Sequence, residues 1–275
     1  MQKAGGVRPK LYVGAPMQVI HETVENGTTL YRKVKGVGAL SDDLLKKEEM
    51  KDSDLVIDIG ASNRDEAAAL VSVGDSVCAD TEVRDLLNDR FSGRALDDKT
   101  GAFVILEAAK LASERRAACG IYANTVAGEE TTGRGAYFAA STIKPSCAVI
   151  VDVTWASDSP GADPGQGGEV RLGGGPVLCR SGVTNKAMNH LLEGIALEKG
   201  IPLQFEVSGG NTHTDGDDVL KTGAGVPLAL VSIPLRYMHS SVEMGSWKDL
   251  EYCIELIAGF LCRIDETFDY RPIKF

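Results

Sequence analysis

Residues 147–153 read Cys-Ala-Val-Ile-Val-Asp-Val, an almost continuous apolar stretch with the length of a buried strand. The sequence around it alternates between apolar strands and amphipathic helices. Such alternation is typical of a mainly parallel sheet that helices cover on both faces. We therefore predict an α/β fold for residues 93–275. The predicted strands are 119–127, 147–153 and 226–233, and the predicted helices are 100–113, 133–142, 184–199 and one that opens at Ser246.

The first 92 residues have a different pattern, which is rich in β-forming residues. Asn26-Gly27 lies between two such runs, and this dipeptide is a strong signal for a two-residue hairpin turn. A further strand is expected at Leu55–Ile59, and a short helix should follow it, with Ser62 as the cap and Asp65 in the capping-box position. We therefore predict that residues 1–92 form a smaller β-rich domain.

The charge of the chain argues against two classes of partner. Lys and Arg number 29 against 39 Asp and Glu, so the net charge is −10. Nucleic acids and anionic membranes both require a basic surface, so we expect neither as a partner. The sequence shows no signal-peptide pattern and no apolar run of the roughly 20 residues that a membrane helix needs. The six cysteines include no CxxC pair, so free thiols in a reducing cytoplasm are expected.

Carboxylates and a histidine lie where successive elements of the predicted sheet meet its helices. Asp97 comes just before the first helix, and Glu129 and Glu130 end the first predicted strand. Asp152 interrupts the apolar run 147–153, and His239 follows the strand at 226–233. Ligands bind beyond the carboxyl ends of strands in such sheets, so these side chains should converge. A bound cation would offset the cost of burying several carboxylates together.

These residue types indicate a particular kind of metal site. Oxygen and nitrogen ligands without thiolates suit zinc, cobalt or manganese in a catalytic centre. Two ions that share a carboxylate can activate water, while a neighbouring carboxylate that binds no ion moves the proton. Taken singly, the residues have ordinary explanations, because Asp97-Asp98 before a helix is typical of an N-cap and Glu129-Glu130 of a solvated strand end. The ordered combination favours the metal site.

The same residues belong to a set of longer motifs. These read Leu96-Asp-Asp-Lys-Thr-Gly101, Gly128-Glu-Glu130, Gly133-Arg-Gly-Ala136, Val151-Asp-Val-Thr154, Asp158-Ser-Pro-Gly161, Leu172-Gly-Gly-Gly-Pro176, Thr214-Asp215 and Ile233-Pro-Leu-Arg-Tyr-Met-His-Ser240. In this order they resemble the M42 family of metallo-aminopeptidases, and the resemblance covers nearly the whole chain. The β-rich stretch resembles the same family through Asp58-Ile-Gly-Ala61 and Gly74-Asp75.

The resemblance implies a role for each residue of the centre. Asp97 would bridge two divalent ions, Glu130 and Asp152 would complete one side, and His239 would bind the second ion. Glu129 would act as the general base and then as the acid. The implied reaction is the removal of N-terminal residues from peptides, with zinc or cobalt, or manganese, as the cofactor.

The resemblance also implies an assembly, and the sequence separately offers candidates for substrate contact. Residues 1–92 would be an inserted, barrel-like dimerisation domain, and dimers in this family often assemble into hollow dodecamers. Asp215, Arg236 and His213 are the candidates for contact with the peptide substrate.

One departure from the family pattern affects the expected metal site. The family supplies a His-x-Asp motif from a strand before the inserted domain, and this sequence has no His-x-Asp upstream of Asp97. We therefore expect the catalytic domain at 93–275 to be incomplete at its N-terminal side and its metal binding to be impaired.

Three other interpretations remain open at this stage. An impaired or inactive paralogue would keep the fold and the assembly surface without a working centre. A glycoside hydrolase could use paired carboxylates such as Glu129 with Asp152. A serine acyl-hydrolase is suggested by the S-x-x-K spacing of Ser141 and Lys144, but Ser141 ends a predicted helix and Pro145 disfavours its continuation.

Overall fold

The computed structural model describes residues 1–162 and 168–271 of the chain. Contacts among these residues divide them into two compact units. The first unit is Met1–Arg84 with the short segments Ser92–Ala95 and His239–Glu243, and the second unit is the rest of the described chain.

The first unit contains a four-stranded antiparallel sheet in the order β3-β2-β1-β4. Asn26 and Gly27 join the first two strands, and both have a positive φ (51° and 78°), as a two-residue hairpin turn requires. The predicted hairpin is therefore confirmed. The elements of this unit are β1 (Pro16–Glu25), β2 (Thr28–Gly38), α1 (Asp42–Lys46), β3 (Ile57–Asp58), α2 (Arg64–Ala68) and β4 (Ser76–Ala79), with 3-10 turns at Pro9–Tyr12 and Asp52–Asp54.

The remaining elements complete the α/β arrangement that the sequence predicts. They are β5 (Arg84–Leu86), β6 (Arg90–Gly93), α3 (Leu96–Glu114), α4 (Arg134–Ile143), β7 (Ala148–Trp155), β8 (Val177–Ser181), α5 (Lys186–Lys199), β9 (Gln204–Ser208), α6 (Gly216–Val219), β10 (Leu228–Leu235), β11 (Glu243–Ser246) and α7 (Trp247–Leu261). The main sheet has the order β7-β10-β8-β9, and β11-β6-β5 form a small third sheet. In the main sheet β7 with β10 and β8 with β9 are parallel pairs, whereas β10 with β8 is antiparallel.

Helices cover both faces of the main sheet. Val149, Val151 and Val153 of β7 pack against the larger core, to which α3, α5 and α7 contribute. Ala148 and Ile150 pack on the other face, with α4 and α6. Because strand side chains alternate between faces, Asp152 lies on the α4 and α6 side. No helix among the described residues is long and apolar enough to span a membrane.

Residues 119–127, which the sequence predicts to be a strand, form none in the described structure. The segment is largely exposed, and Tyr122 is 70% exposed. Its residues favour β-structure, but a strand forms only where a neighbour satisfies its backbone hydrogen bonds. β7 is the end strand of the main sheet, and no described strand pairs with its free side. The prediction is wrong because local sequence cannot show whether a pairing partner is present.

Two predicted helix caps are wrong by one residue. Asn63 rather than Ser62 caps α2: its side chain accepts a hydrogen bond from the Glu66 N–H (2.9 Å), and the Glu66 carboxylate accepts one from the Ser62 N–H (2.8 Å). These reciprocal bonds satisfy amide donors that the start of a helix would leave unpaired. Asn185 rather than Thr184 caps α5, and its side chain accepts a hydrogen bond from the Met188 N–H (3.1 Å).

A buried carboxylate holds the glycine-rich loop that precedes β8. Asp249, in the first turn of α7, has no exposed surface. Its two oxygens accept hydrogen bonds from the Gly173 N–H and the Gly175 N–H, each at 2.8 Å. The Leu172–Pro176 motif is therefore tied to α7 by one side chain.

Asp249→Ala should lower the free energy of unfolding by about 2–4 kcal/mol, because it leaves two N–H groups without an acceptor where water does not reach. Chemical denaturation of the full chain measures this loss. Glu251→Ala removes an exposed carboxylate from the same helix and should change stability by less than about 0.5 kcal/mol. A loss at Asp249 no larger than that at Glu251 would show that the loop does not depend on this carboxylate.

The same carboxyl group should make stability depend on pH. Burial raises the pKa of Asp249 to about 6, whereas an unfolded aspartate has a pKa of about 3.9. The folded chain therefore binds this proton more tightly, and stability declines as pH rises from about 4 to about 6. The stability of the wild type relative to Asp249→Asn should fall by up to about 3 kcal/mol across that range. Denaturation at several pH values tests this, and a constant or rising difference would contradict it.

Candidate metal centre

Asp97 and Asp98 have different positions although they are adjacent. Both have non-helical φ and ψ at the start of α3. The Asp98 carboxylate accepts a hydrogen bond from the Gly101 N–H (2.7 Å), which is the bond of a helix cap. A Cβ atom at Gly101 would lie 2.1 Å from an Asp98 oxygen, so glycine is needed there. The N-cap explanation thus applies to Asp98 and leaves Asp97 for another role.

Three of the predicted ligands lie close together. Asp97, Glu130 and His239 each offer one ligand atom, and these atoms lie within 4.8 Å of one another. Asp97 and His239 are half-buried, while Glu130 is exposed. Two carboxylate oxygens and an imidazole nitrogen at this spacing suit a divalent transition metal.

Asp152 adds a buried carboxylate to the same neighbourhood. Its pKa is raised to about 8, mainly by burial and further by the negative charges of Asp97, Glu129 and Asp215. Burial and the charge of Asp152 also raise the pKa of Asp98 well above its ordinary value. Asp98 and Asp152 therefore lie close enough to other acidic groups for the charges to interact. A cation would offset both the desolvation and the repulsion.

Asp215 provides an independent sign that a polar group has no partner here. Its Oδ1 atom is buried, and no hydrogen-bond donor reaches it within the described part of the chain. Burial, and then the charge of Asp218, raises the pKa of Asp215 to about 6. The donor set and this orphaned oxygen both fit the presence of bound cations.

The turn that carries Glu129 and Glu130 depends on close backbone packing. The N–H groups of Thr132 and Gly133 donate to the Gly128 carbonyl at 2.8 and 2.9 Å. Gly133 has a φ of 62°, and a Cβ atom there would lie 1.8 Å from an Asp218 oxygen. A Cβ atom at Gly135 would lie 2.3 Å from the Ala127 carbonyl oxygen. Gly133 thus suits the left-handed backbone of the turn, and Gly135 allows the close approach to the Ala127 backbone.

A buried glutamate that the sequence analysis missed holds the backbone of His239. His239 has a φ of 62°, in the left-handed region. Its N–H donates to Glu243 Oε1 (2.9 Å), and Glu243 is only 2% exposed. The only sequence signal for this contact is a lone carboxylate four residues after the histidine.

The remaining candidates have other surroundings. Arg236 forms a half-buried ion pair with Asp158, with Nε–Oδ1 and Nη2–Oδ2 distances of 2.8 Å. His213 is exposed, and its N–H donates to Asp217 (2.9 Å) in the loop before α6. His213 is not part of the three-residue group found among the described residues. Substrate contact by Arg236 and His213 stays a prediction.

Comparison with known proteins relates this geometry to one family. The family model described as M42 glutamyl aminopeptidase matches residues 1–256. Lysyl aminopeptidase of Pyrococcus furiosus is 30% identical over 281 residues, which cover 98% of this chain and 75% of that protein. A protein of Acetivibrio thermocellus is 36% identical over 225 residues, which cover 79% of this chain and 66% of that protein. This chain thus spans about two thirds of one relative and three quarters of the other.

Solved structures agree with this assignment. An aminopeptidase from the archaeon Desulfurococcus kamchatkensis superimposes with a TM-score of 0.81 at 29% identity, over 94% of this chain and 71% of that chain. The TET1 peptidase of Pyrococcus horikoshii superimposes with a TM-score of 0.74 at 28% identity, over 96% of this chain and 76% of that chain. The match to the family model over most of the chain, together with these relatives, shows that the chain belongs to the M42 glutamyl aminopeptidase family.

Proposed function

We propose that this protein is a metal-dependent aminopeptidase that removes N-terminal residues from peptides. The observation that carries the proposal is the approach of Asp97, Glu130 and His239 to within 4.8 Å of one another. The buried Asp152 supports it, because burial and the charge of Asp97 raise its pKa and a cation would offset both effects. Membership of a family of aminopeptidases supports the class of reaction.

The proposed ligand arrangement uses two divalent ions, with zinc, cobalt or manganese suited to these donors. Asp97 would be shared by the two ions, Glu130 and Asp152 would hold one of them, and His239 would hold the other. When bound, such ions lower the pKa of a water molecule and polarise the carbonyl of the scissile peptide bond. Glu243 orients His239 through its backbone N–H, and Asp98 holds the start of α3 beside Asp97.

Glu129 is the proposed proton carrier. It is half-buried, adjacent in sequence to the proposed ligand Glu130, and close enough to Asp152 to raise the pKa of that group. In the proposed mechanism the Glu129 carboxylate takes a proton from the attacking water and then gives it to the leaving amine. Glu130 and Glu129 therefore divide ligand binding and proton transfer between them.

The assembly and the location of the protein are further proposals. Among the similar solved structures, the TET1 peptidase of Pyrococcus horikoshii can assemble into a tetrahedron or a large octahedral shell, and PhTET1-12s is a dodecamer. By analogy we propose a homo-oligomer built from dimers, with the β-rich residues 1–92 as the dimerisation domain, in the cytoplasm.

The adjacent pair Glu129 and Glu130 offers a matched comparison of the two roles. Glu130→Gln should weaken metal affinity by about 10–100-fold or more, because a charged ligand is lost. Glu129→Gln should retain the metal and lower the turnover of aminoacyl p-nitroanilides by about 10²–10⁴-fold, because the proton carrier is lost. Calorimetry with zinc or cobalt measures the first effect, and steady-state kinetics of the loaded protein measure the second.

The two variants have clear contrary outcomes. Equal loss of metal affinity in both variants would contradict the division of roles. Wild-type turnover by Glu129→Gln would show that Glu129 is not the proton carrier. Elemental analysis of the loaded wild type gives the number of ions per chain. A wild type that binds no metal would overturn the proposed centre.

Removal of metal should abolish hydrolysis. EDTA should reduce the rate at which N-terminal residues are released from peptides to background. Added zinc or cobalt should restore this rate, because the ions activate the water. A glycoside hydrolase that uses paired carboxylates needs no ion and would keep its activity. Peptide hydrolysis that survives exhaustive chelation would contradict the proposed function.

A further inference from the structure

Glu206 is a carboxylate that two other strands hold in place. The Thr154 hydroxyl donates to Glu206 Oε2 at 2.6 Å, and the Ser232 hydroxyl donates to Glu206 Oε1 at 2.7 Å. Thr154 lies on β7, Ser232 on β10 and Glu206 on β9. Ser232 is 1% exposed, so one of the two donors is fixed within the core. The two bonds restrict the glutamate to one orientation.

No basic side chain in the described part of the chain offsets the charge of Glu206. Within residues 1–162 and 168–271, no lysine, arginine or histidine forms an ion pair with it. Each carboxylate oxygen accepts one hydroxyl hydrogen bond and has a second lone pair for another donor. The negative charge of Glu206 also acts on Cys179. Burial, and then this charge, raises the pKa of the Cys179 thiol to about 12. Glu206 is thus an oriented, half-buried anion that can accept a further, cationic donor.

The position of Glu206 relates it to the proposed metal centre. Ser232 lies directly opposite Asp152 in the register of β10 and β7. Thr154 follows Asp152 by two residues and therefore shares its face of the sheet. Because two residues of a strand span about 6.6 Å, Thr154 lies about that far along β7 from Asp152. The four-carbon stem of a lysine side chain covers a similar distance.

We propose that Glu206 determines specificity by binding the cationic group of a basic N-terminal residue, so that the protein prefers peptides that begin with lysine or arginine. The inference rests on the proposed function, because it requires the first peptide carbonyl to lie at the metal centre. A neutral side chain would cover the carboxylate without replacing its lost hydration, and an acidic one would be repelled. A charge-assisted hydrogen bond to Glu206 favours the basic residue.

Lysinamide and norleucinamide test this preference, since they differ only in the terminal ammonium group. Calorimetry with the zinc-loaded full chain should give at least about tenfold tighter binding of lysinamide, as expected for one hydrogen bond to a charged group. Glu206→Gln should reduce this difference to about twofold or less and leave norleucinamide binding unchanged. Glu251→Gln, an exposed change on α7, should keep the full difference.

The pattern of effects separates specificity from a merely structural role. If Glu206 only supported the sheet, the glutamine variant would weaken both ligands equally, and that result would overturn the inference. Equal binding of both amides by the wild type would overturn it as well, while the proposed function would stand if p-nitroanilides were still hydrolysed. If neither amide binds and no substrate is hydrolysed, both the inference and the proposed function fail.

Discussion

Electrostatic repulsion among the carboxylates that lie near Asp152 is the constraint on which the rest of the site depends. Burial raises the pKa of Asp98 and of Asp152, and the negative charge of Asp97 raises both further. A fold that brings such groups together loses stability unless a positive charge joins them. Such an arrangement favours a bound cation, which is the role proposed for it.

The scaffold around the carboxylates restricts their movement through short-range contacts. Asp98 caps α3 and has a structural role. Its neighbour Asp97 is the proposed metal ligand. Gly133 adopts a left-handed backbone in the turn after Glu130, and Gly135 lets that turn approach the Ala127 backbone closely. Such restriction of the proposed ligands would reduce the ordering cost of metal binding.

Charged residues outside the proposed centre differ in whether the folded chain supplies a partner for their charge. Asp249 and Arg236 have partners in the folded chain, two glycine amides and Asp158 respectively, and so contribute to the structure itself. Glu206 has hydroxyl donors but no basic partner among the described residues, so its charge can interact with a ligand. This difference in partners, rather than the residue type, separates a structural carboxylate from a candidate for recognition.

The amino-acid sequence by itself determined the hairpin at Asn26-Gly27, most helices of the α/β unit and the residue types of the proposed metal centre. These features follow from local periodicity, turn chemistry and the order of motifs along the chain. Only the tertiary structure decided that Asp98 is the cap, that residues 119–127 form no strand among the described residues, and that Glu206 lies between Thr154 and Ser232. The reason is physical: caps, strand pairing and hydroxyl donors depend on atoms that are close in space but distant, or ambiguous, in the chain.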